Sequence, residues 1–243
     1  MIFSTPLKQL AYRNIPRSAR WDSMSLPTRM ALRARPPFRL RCGRNVTKAD
    51  IFLWEDEGSR LAIKDYSPRP SWIRNTLGRS LVRREVRAYQ RLQDLSGIPH
   101  LAGQIDRFAF AMDFVEGLDL SHFRPGEVPE EFFRELTQLL NSVHRAGVAQ
   151  GDLHHRDILV GPGGNPYLVD FSTAVILEQA SGRFKYRLFR AACGSDRRAA
   201  LKLTLRHAPR CLTAEERHEL SHPPLWYRFG KRLRRSLNAI RTR

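Results

Sequence analysis

The chain has 243 residues, 42% of them hydrophobic, and a formal net charge of +18. This length allows one ordinary domain, or two small lobes around a cleft, with a sizeable core. No apolar run approaches the roughly 18 residues that span a membrane, and the first residues lack the apolar centre of a signal peptide. Cys42, Cys193 and Cys211 are far apart and show no metal-ligand spacing, which favours a reducing compartment. The sequence therefore predicts a cytoplasmic protein.

The positive charge is concentrated at the two ends of the chain. Residues 1–48 contain eleven Lys or Arg and one acid, and residues 222–243 contain seven Lys or Arg and no acid. The middle 173 residues are nearly neutral, with 24 basic and 23 acidic side chains. This separation indicates a balanced body with basic extensions, although a general preference for Arg over Lys, 36 to 6, would explain part of the excess. Residues 1–36 mix Pro, Ser and Arg without a period and are predicted to be disordered.

Three short strands and a helix are predicted in the first half of the remaining chain. Alternating or continuous apolar runs place the strands at Phe38–Cys42, Ile51–Trp54 and Leu61–Lys64. In the helix predicted over Arg79–Gln93, Glu85 shares a face with apolar residues, where a carboxylate is costly to bury without a partner. Lys64 is the natural partner. The alternative is that Glu85 lies at the edge of this face and reaches water.

A further strand and helix lead to the most polar part of the sequence. Phe108–Met112 is a buried-strand pattern that ends at Gly117 after a short turn. Pro129 and the glutamates after it begin an amphipathic helix, which Gly147 ends. His144, on this helix, is predicted to be a packed core residue.

Three carboxylates, Asp152, Asp157 and Asp170, stand at the edges of short apolar runs. The turn-forming cluster Gly161–Asn165 predicts a hairpin with Asp157 in its first strand and Asp170 just past its second strand. A turn before the hairpin would bring Asp152 near both. Carboxylates gathered this closely repel one another unless a cation lies among them, and magnesium prefers oxygen ligands.

These segments resemble protein-kinase motifs. Gln150–Val160, QGDLHHRDILV, resembles the kinase catalytic loop H-R-D-L-x-x-x-N, and Val169–Ser172, VDFS, resembles D-F-G. Ala62–Lys64 resembles the third-strand V-A-I-K motif, and Phe108–Gly117 resembles the strand and hinge between the kinase lobes. The Gly before the Asp and the short hairpin after it look most like bacterial lipopolysaccharide-core (Kdo or heptose) sugar kinases, with RIO-type and aminoglycoside-type kinases similar in style.

The resemblance implies an α+β fold, specifically a compact two-lobed protein-kinase-like fold with a truncated C-terminal lobe. The N-lobe would span residues 37–116 and the C-lobe residues 117–214. Asp152 would be the catalytic base, and Asp157 and Asp170 would bind Mg²⁺ or Mn²⁺. The ATP-binding residues implied by the resemblance are Lys64, Glu85, Gly43, Met112, Asp113 and Val115.

The sequence also departs from the kinase pattern. Gln150 and Gly151 replace His and Arg, Asp157 replaces Asn, and Ser172 replaces the Gly of D-F-G. The loop that should cover the phosphates has a single glycine, Gly43, so Arg44 and Lys48 could supply charge in place of backbone amides. No A-P-E motif follows, and little chain remains for an activation segment.

Residues 215–243 form a basic C-terminal extension in which Trp226–Ile240 has an amphipathic helical pattern. Such a helix suits an anionic membrane surface, here the inner face of the cytoplasmic membrane; it could instead dock on the body or bind nucleic acid. The resemblance thus implies transfer of the ATP γ-phosphoryl group to a lipopolysaccharide-core sugar. The alternatives are a Ser/Thr or RIO-like protein kinase, whose acceptor is a protein, and a pseudokinase that serves as a binding or regulatory module.

Overall fold

The computed structural model describes residues 26–43, 47–56 and 59–222, which form a mixed α+β structure. The strands are β1 Phe38–Arg41, β2 Asp50–Asp56, β3 Ser59–Asp65, β4 Leu101–Asp106, β5 Ala109–Asp113, β6 Leu118–Asp119, β7 Val148–Ala149, β8 Ile158–Val160, β9 Pro166–Leu168 and β10 Val175–Ile176. The helices are α1 Arg29–Ala34, α2 Ser71–Ile73, which runs through a π-turn at Arg74–Gly78 into α3 Arg79–Leu92, then α4 Glu130–Arg145, α5 Arg183–His207 and α6 Ala214–Ser221.

A five-stranded antiparallel sheet with the order β1-β2-β3-β5-β4 forms the first part of the structure. In the central strand β3, Lys64 pairs with Ile51 of β2 and Phe110 of β5. Because side chains alternate along a strand, Ile63 and Lys64 lie on opposite faces of the sheet. The predicted strands at residues 38, 51 and 61 are all present, and β2 and β3 are longer than the apolar runs that indicated them.

The outer face of the sheet is covered by α1, where the sequence predicts disorder over residues 1–36. Thr28 caps this helix by accepting a hydrogen bond from the backbone N–H of Ala31, and Leu32 packs into a cluster with Trp54 and Ile63. Arg29 binds both Asp65 and Asp106, with 2.8 Å between its Nε and the Asp106 carboxylate. The prediction of disorder is thus wrong for residues 29–34; residues 1–25 lie outside the described ranges.

The inner face of the sheet is covered by α3. Its buried residues lie three or four positions from one another along one continuous face: Val82, Glu85, Val86, Ala88, Tyr89 and Leu92. The helix ends at Leu92, one residue before the predicted end. This face places the Glu85 carboxylate directly beneath β3.

The second part of the structure, from residue 118 onward, consists mainly of helices with two small sheets. As predicted, α4 begins after Pro129 with two glutamates in its first turn, and its apolar face packs in the same core as α3. The sheets have the orders β6-β8-β9 and β10-β7. The long helix α5 packs against α4 and β7.

The last described helix, α6, begins at the predicted boundary between the body and the C-terminal extension. Thr213 and Glu216 form a capping box at its start. The guanidinium of the buried Arg198 donates to the carbonyl oxygen of Glu219 at 2.7 Å and so attaches α6 to α5. The predicted amphipathic segment Trp226–Ile240 lies outside the described residues. Among the residues that the structure describes, no helix combines the length and apolarity needed to cross a membrane.

The Arg29→Met variant tests the attachment of α1. The Asp65 side chain is only 8% exposed, so losing Arg29 leaves a nearly buried carboxylate without this cation. We expect the free energy of unfolding to fall by about 2 kcal/mol, measured by chemical denaturation. Arg33→Met, an exposed change on the same helix, should alter it by less than about 0.5 kcal/mol. Equal losses in both variants would contradict the proposed role of Arg29.

Candidate active site

The inner face of the sheet carries a buried ion pair between Lys64 and Glu85. Lys64 Nζ lies 2.6 Å from the Glu85 carboxylate, and the two side chains are 5% and 0% exposed. The predicted pairing is confirmed, and the alternative in which Glu85 reaches water is wrong. Burial raises the pKa of Glu85 to about 7, because Lys64 offsets only part of the lost hydration. Burial also opposes the charge on Lys64, but Asp170 and Glu85 outweigh it and raise the pKa of the ammonium.

Asp170 brings the second part of the structure into contact with this pair. One carboxylate oxygen lies 2.9 Å from Lys64 Nζ, and the other lies 3.6 Å from Nζ of Lys48. Although burial works against ionisation, Lys64 and then Lys48 hold the pKa of Asp170 well below its usual range. Among the described residues, Asp170 is the only one other than glycine with a positive φ, 66°. A backbone held in this disfavoured region is found preferentially at functional sites.

The segment before Asp152 is fixed to the Asp170 segment by buried hydrogen bonds. The side-chain amide of Gln150 donates to the carbonyl oxygens of Val169 and Asp170 at 2.7 and 2.9 Å. Thr173 returns a bond from its hydroxyl to the carbonyl oxygen of Gln150 at 2.8 Å. Gln150, which departs from the kinase motif, therefore joins the two segments that carry the predicted catalytic and metal-binding acids.

A buried carboxylate on α5 supports the same loop from below. Asp196 is fully buried and accepts the backbone N–H groups of Gln150 and Gly151 at 2.7 and 2.8 Å. His144 of α4 contacts the same carboxylate through Nε2 at 3.2 Å. Gly151 has a φ of 83°, and a Cβ atom there would lie 3.1 Å from the carbonyl oxygen of Thr173. The loop therefore requires glycine at this position. His144 is packed as predicted, with this polar contact in addition.

Asp152, Asp157 and Asp170 line one cavity of about 230 Å³, together with Lys64 and Lys48. The hairpin forms between β8 and β9, and Asp170 follows it as predicted. Asp157 lies in the 3₁₀ turn just before β8 rather than within the strand, because its carboxylate caps that turn through the backbone N–H of His154. Burial, and then the charge of Asp170, raise the pKa of Asp157 to about 7.

The loop between β1 and β2 reaches the same cavity. The backbone N–H of Gly43 donates to the buried carboxylate of Asp50 at 2.8 Å, and Arg69 binds the same carboxylate. A Cβ atom on Gly43 would lie 2.3 Å from the carbonyl oxygen of Lys48, so this close approach excludes any other residue. Gly43 thus lies at the cavity as predicted, and the loop brings Lys48 to Asp170. Arg44 lies outside the described residues.

The residues predicted to contact adenine lie at the end of β5, apart from the acids. Met112 is buried in the main core, and Asp113 and Val115 follow it at the edge of the sheet. Among the residues that the structure describes, those that line the cavity do not include Met112, Asp113 or Val115. The backbone N–H of Asp113 donates to the carbonyl oxygen of His100 at 2.9 Å, so this group is already engaged within the fold.

The acids fit a hard divalent cation that takes the rest of its ligands from elsewhere. Within the described ranges, no cluster of three or more His, Cys, Asp or Glu side chains could hold a metal ion by itself. Asp157 and Asp170 nevertheless lie close enough for the charge of one to shift the pKa of the other. Magnesium is commonly held by one or two carboxylates together with phosphate oxygens and water. Asp157 and Asp170 could provide the two carboxylates of such a set of ligands.

A larger cavity of about 410 Å³ lies on the outer face of the sheet, beneath α1. Its two acids, Asp65 and Asp106, are both bound by Arg29, so they hold the fold together. The smaller cavity is lined by three carboxylates and by Lys64, which contacts Asp170 and the buried Glu85. No protein-family model matches the chain. The smaller cavity is therefore the candidate active site.

The contacts of several residues that position this site were not predicted from the sequence. Tyr89 lies one turn after Glu85, and its hydroxyl accepts the backbone N–H of Asp170 at 3.3 Å. Arg84 donates to the carbonyl oxygen of Ser172 at 3.1 Å. Tyr89 lies four positions after Glu85 and therefore on the same face of α3, the face that covers the sheet. This spacing could have indicated the contact of Tyr89 with the Asp170 segment. The role of Gln150 had no comparable signal.

The Asp157→Asn variant tests the electrostatics of the acid cluster. A raised carboxyl pKa means that the folded protein holds the proton more tightly than the unfolded chain. Ionisation of Asp157 therefore costs stability as the pH rises from 3.8 to about 7, and this loss is complete above that range. Without metal, the variant should be more stable than the wild type at about pH 8, by up to about 4 kcal/mol, and equally stable near pH 4.

Thermal and chemical unfolding in the presence of a chelator, at both pH values, measures this difference. Asp94→Asn removes one negative charge from an exposed position and should show no such pH-dependent gain. A gain for Asp157→Asn that is the same at both pH values would show that the repulsion is not its cause.

Proposed function

We propose that this protein is an ATP-dependent phosphotransferase with a compact, two-lobed protein-kinase-like fold. The observation that carries the proposal is that Asp152, Asp157 and Asp170 line one cavity with Lys64, whose ammonium binds both Asp170 and the buried Glu85. A strand lysine held by a helix glutamate, facing separate catalytic and metal-binding acids, is the arrangement that kinase-type phosphoryl transfer requires. The five-stranded sheet with α3 would be the N-lobe, and the helices from α4 onward a truncated C-lobe.

The acids and the lysine of the cavity each have a role in this reaction. Asp152 orients the acceptor hydroxyl and removes its proton as the new P–O bond forms and the bond to ADP breaks. Lys64, fixed by Glu85, binds the nucleotide phosphates. Magnesium or manganese, held by Asp157 and Asp170, would neutralise the charge that develops on the transferred phosphoryl group. Asp113 and Val115 would lie along the adenine edge, with Met112 behind the base.

The acceptor we favour is a sugar hydroxyl of a lipopolysaccharide-core glycolipid. Only residues 171–182 separate Asp170 from α5. Protein kinases dock their substrates on a longer activation segment at this point of the chain. A short connection leaves the cavity accessible to a carbohydrate chain. The proposed site of action is the cytoplasmic face of the membrane that holds the glycolipid.

Nucleotide binding and turnover test the proposed roles together. Mg-ATP should raise the melting temperature of the wild type and of Asp152→Asn, because Asp152 acts on the acceptor. Asp170→Asn and Lys64→Met should lose this rise. Transfer of labelled γ-phosphate to a lipopolysaccharide-core acceptor should fall by about 10³-fold or more in Asp152→Asn. Asp94→Asn, an exposed change, serves as the control and should keep full activity.

No rise in melting temperature at millimolar nucleotide with either metal would overturn the proposal and favour a pseudokinase that serves as a binding module. Labelled phosphate on Ser or Thr of protein, with none on the glycolipid, would instead favour the Ser/Thr or RIO-like protein kinase.

The Lys48→Met variant tests how a loop with a single glycine binds phosphates. Lys48 and Lys64 both contact Asp170, so a nucleotide bound by Lys64 would lie within reach of Lys48. The positive charge of Lys48 would then replace the backbone amides that a glycine-rich loop offers to the phosphates. We expect the KM for ATP to rise about tenfold with a much smaller change in kcat, as measured by initial rates. Lys202→Met, at an exposed position on α5, is the matched control. An unchanged KM in Lys48→Met would exclude Lys48 from the phosphate site.

A further inference from the structure

The first two turns of α5 expose large apolar side chains. Phe184 is 81% exposed, and Leu188, which lies one turn later on the same face, is 49% exposed. The opposite face of the same turns is packed, since Phe189 and Ala192 are buried against Ala149. Residues 183–190 are therefore fixed to the body on one side and present an apolar surface on the other.

Basic residues run beside this apolar surface. Arg183, Arg187 and Arg190 are all exposed and recur at offsets of four and seven, so they form one row along the helix. Phe184 and Leu188 lie next to this row. Lys185 differs, because it lies 3.4 Å from Glu178 on the body. A basic row beside an apolar row is the pattern of helices that lie in a membrane interface.

The position of these arginines in the helix also indicates an external anion. The first turn of α5 contains no acidic residue, and Gly182 provides no side-chain cap. Positive side chains at a helix N-terminus are unfavourable, because that end of the helix dipole is itself positive. An anionic surface against this face would reverse the effect.

The rest of this chain is poorly suited to cover the face. Residues 222–243 contain seven Lys or Arg and no acid, and residues 1–25 contain four and a single acid, Asp22. Both terminal segments would be repelled by the arginine row. If a second copy of the chain docked here through the same face, its identical arginine row would also be repelled.

We propose that residues 183–190 of α5 bind the surface of an anionic lipid bilayer. Phe184 and Leu188 would enter the boundary between headgroups and acyl chains, while Arg183, Arg187 and Arg190 bind the lipid phosphates. A lipid surface satisfies both rows at once. Nucleic-acid phosphates would satisfy the arginines alone and leave Leu188 exposed. This contact is separate from the predicted amphipathic segment Trp226–Ile240, and it does not depend on the proposed reaction.

The position of this surface fits an enzyme that acts on a membrane-held acceptor. Arg183 lies thirteen positions before Asp196 in α5, and Asp196 supports the loop that leads to Asp152. At the rise of an α-helix this is about 20 Å, so a docked α5 would hold the cavity near the bilayer. The contact would then bring the cavity and the glycolipid together.

The test uses the full chain and vesicles of phosphatidylcholine with or without phosphatidylglycerol. Binding measured by co-sedimentation should require the anionic lipid. The variant R183Q/R187Q/R190Q should bind at least about tenfold more weakly, since each basic residue near an anionic surface contributes about fivefold. The variant F184S/L188S should also bind more weakly. Hydrogen exchange in residues 183–190 should slow when anionic vesicles are added to the wild type.

Matched control variants change the same chemistry at other exposed positions. They are R107Q/R206Q/R210Q for the charge and M30S/L205S for the apolar surface. Both controls should keep most of the binding. Equal loss in control and test variants, or unchanged exchange in residues 183–190 while the protein remains bound, would overturn the proposal. Binding to single-stranded RNA that depends on Arg183, Arg187 and Arg190, without vesicle binding that depends on them, would also overturn it.

Discussion

The buried ammonium of Lys64 holds the site together because it binds two carboxylates from different parts of the chain. Glu85 belongs to the helix beneath the sheet, and Asp170 follows the hairpin of the second part. Burying one charge without a partner is prohibitive, and burying a pair is close to neutral only when the geometry is good. If Lys64 were neutral or displaced, Glu85 would have to take up a proton in the core. The sheet, α3 and the Asp170 segment therefore share one electrostatic requirement.

A second set of interactions fixes the backbone around these charges. Asp196 accepts two backbone N–H groups of the loop that leads to Asp152, while Gln150 and Thr173 join that loop to the Asp170 segment. Tyr89 holds the backbone N–H of Asp170 from the side of α3. The proposed reaction requires the acceptor hydroxyl and the phosphate to be held within a fraction of an ångström, and rigid supports of this kind suit that requirement.

The parts of the fold that the sequence predicts well depend on local patterns. The strands at residues 38, 51 and 61 and the helix that buries Glu85 follow from periodicity within a few neighbouring residues. The parts that it does not predict depend on distant partners. Arg29 stabilises α1 through residues 36 and 77 positions away, so a Pro- and Arg-rich composition gave no sign of it. Asp196 reaches Gln150 across 46 positions. The hairpin is predicted but the placement of Asp157 is not, because its capping bond keeps Asp157 in the preceding turn and β8 begins one residue later.

The charges around the smaller cavity indicate what kind of ligand suits it. Four basic side chains, Arg41, Lys48, Lys64 and Arg156, and three acids, Asp152, Asp157 and Asp170, line it. In the structure these charges satisfy one another in part, through the contacts of Lys48 and Lys64 with Asp170. If an anion alone bound Lys48 and Lys64, Asp170 would lose the two cations that it contacts. If a metal ion alone bound Asp170, the two lysines would lose the carboxylate that they contact. A metal–polyphosphate complex provides both partners at once. Because Asp157 adds a third carboxylate where the kinase motif has Asn, such a site favours a ligand that carries its own divalent cation.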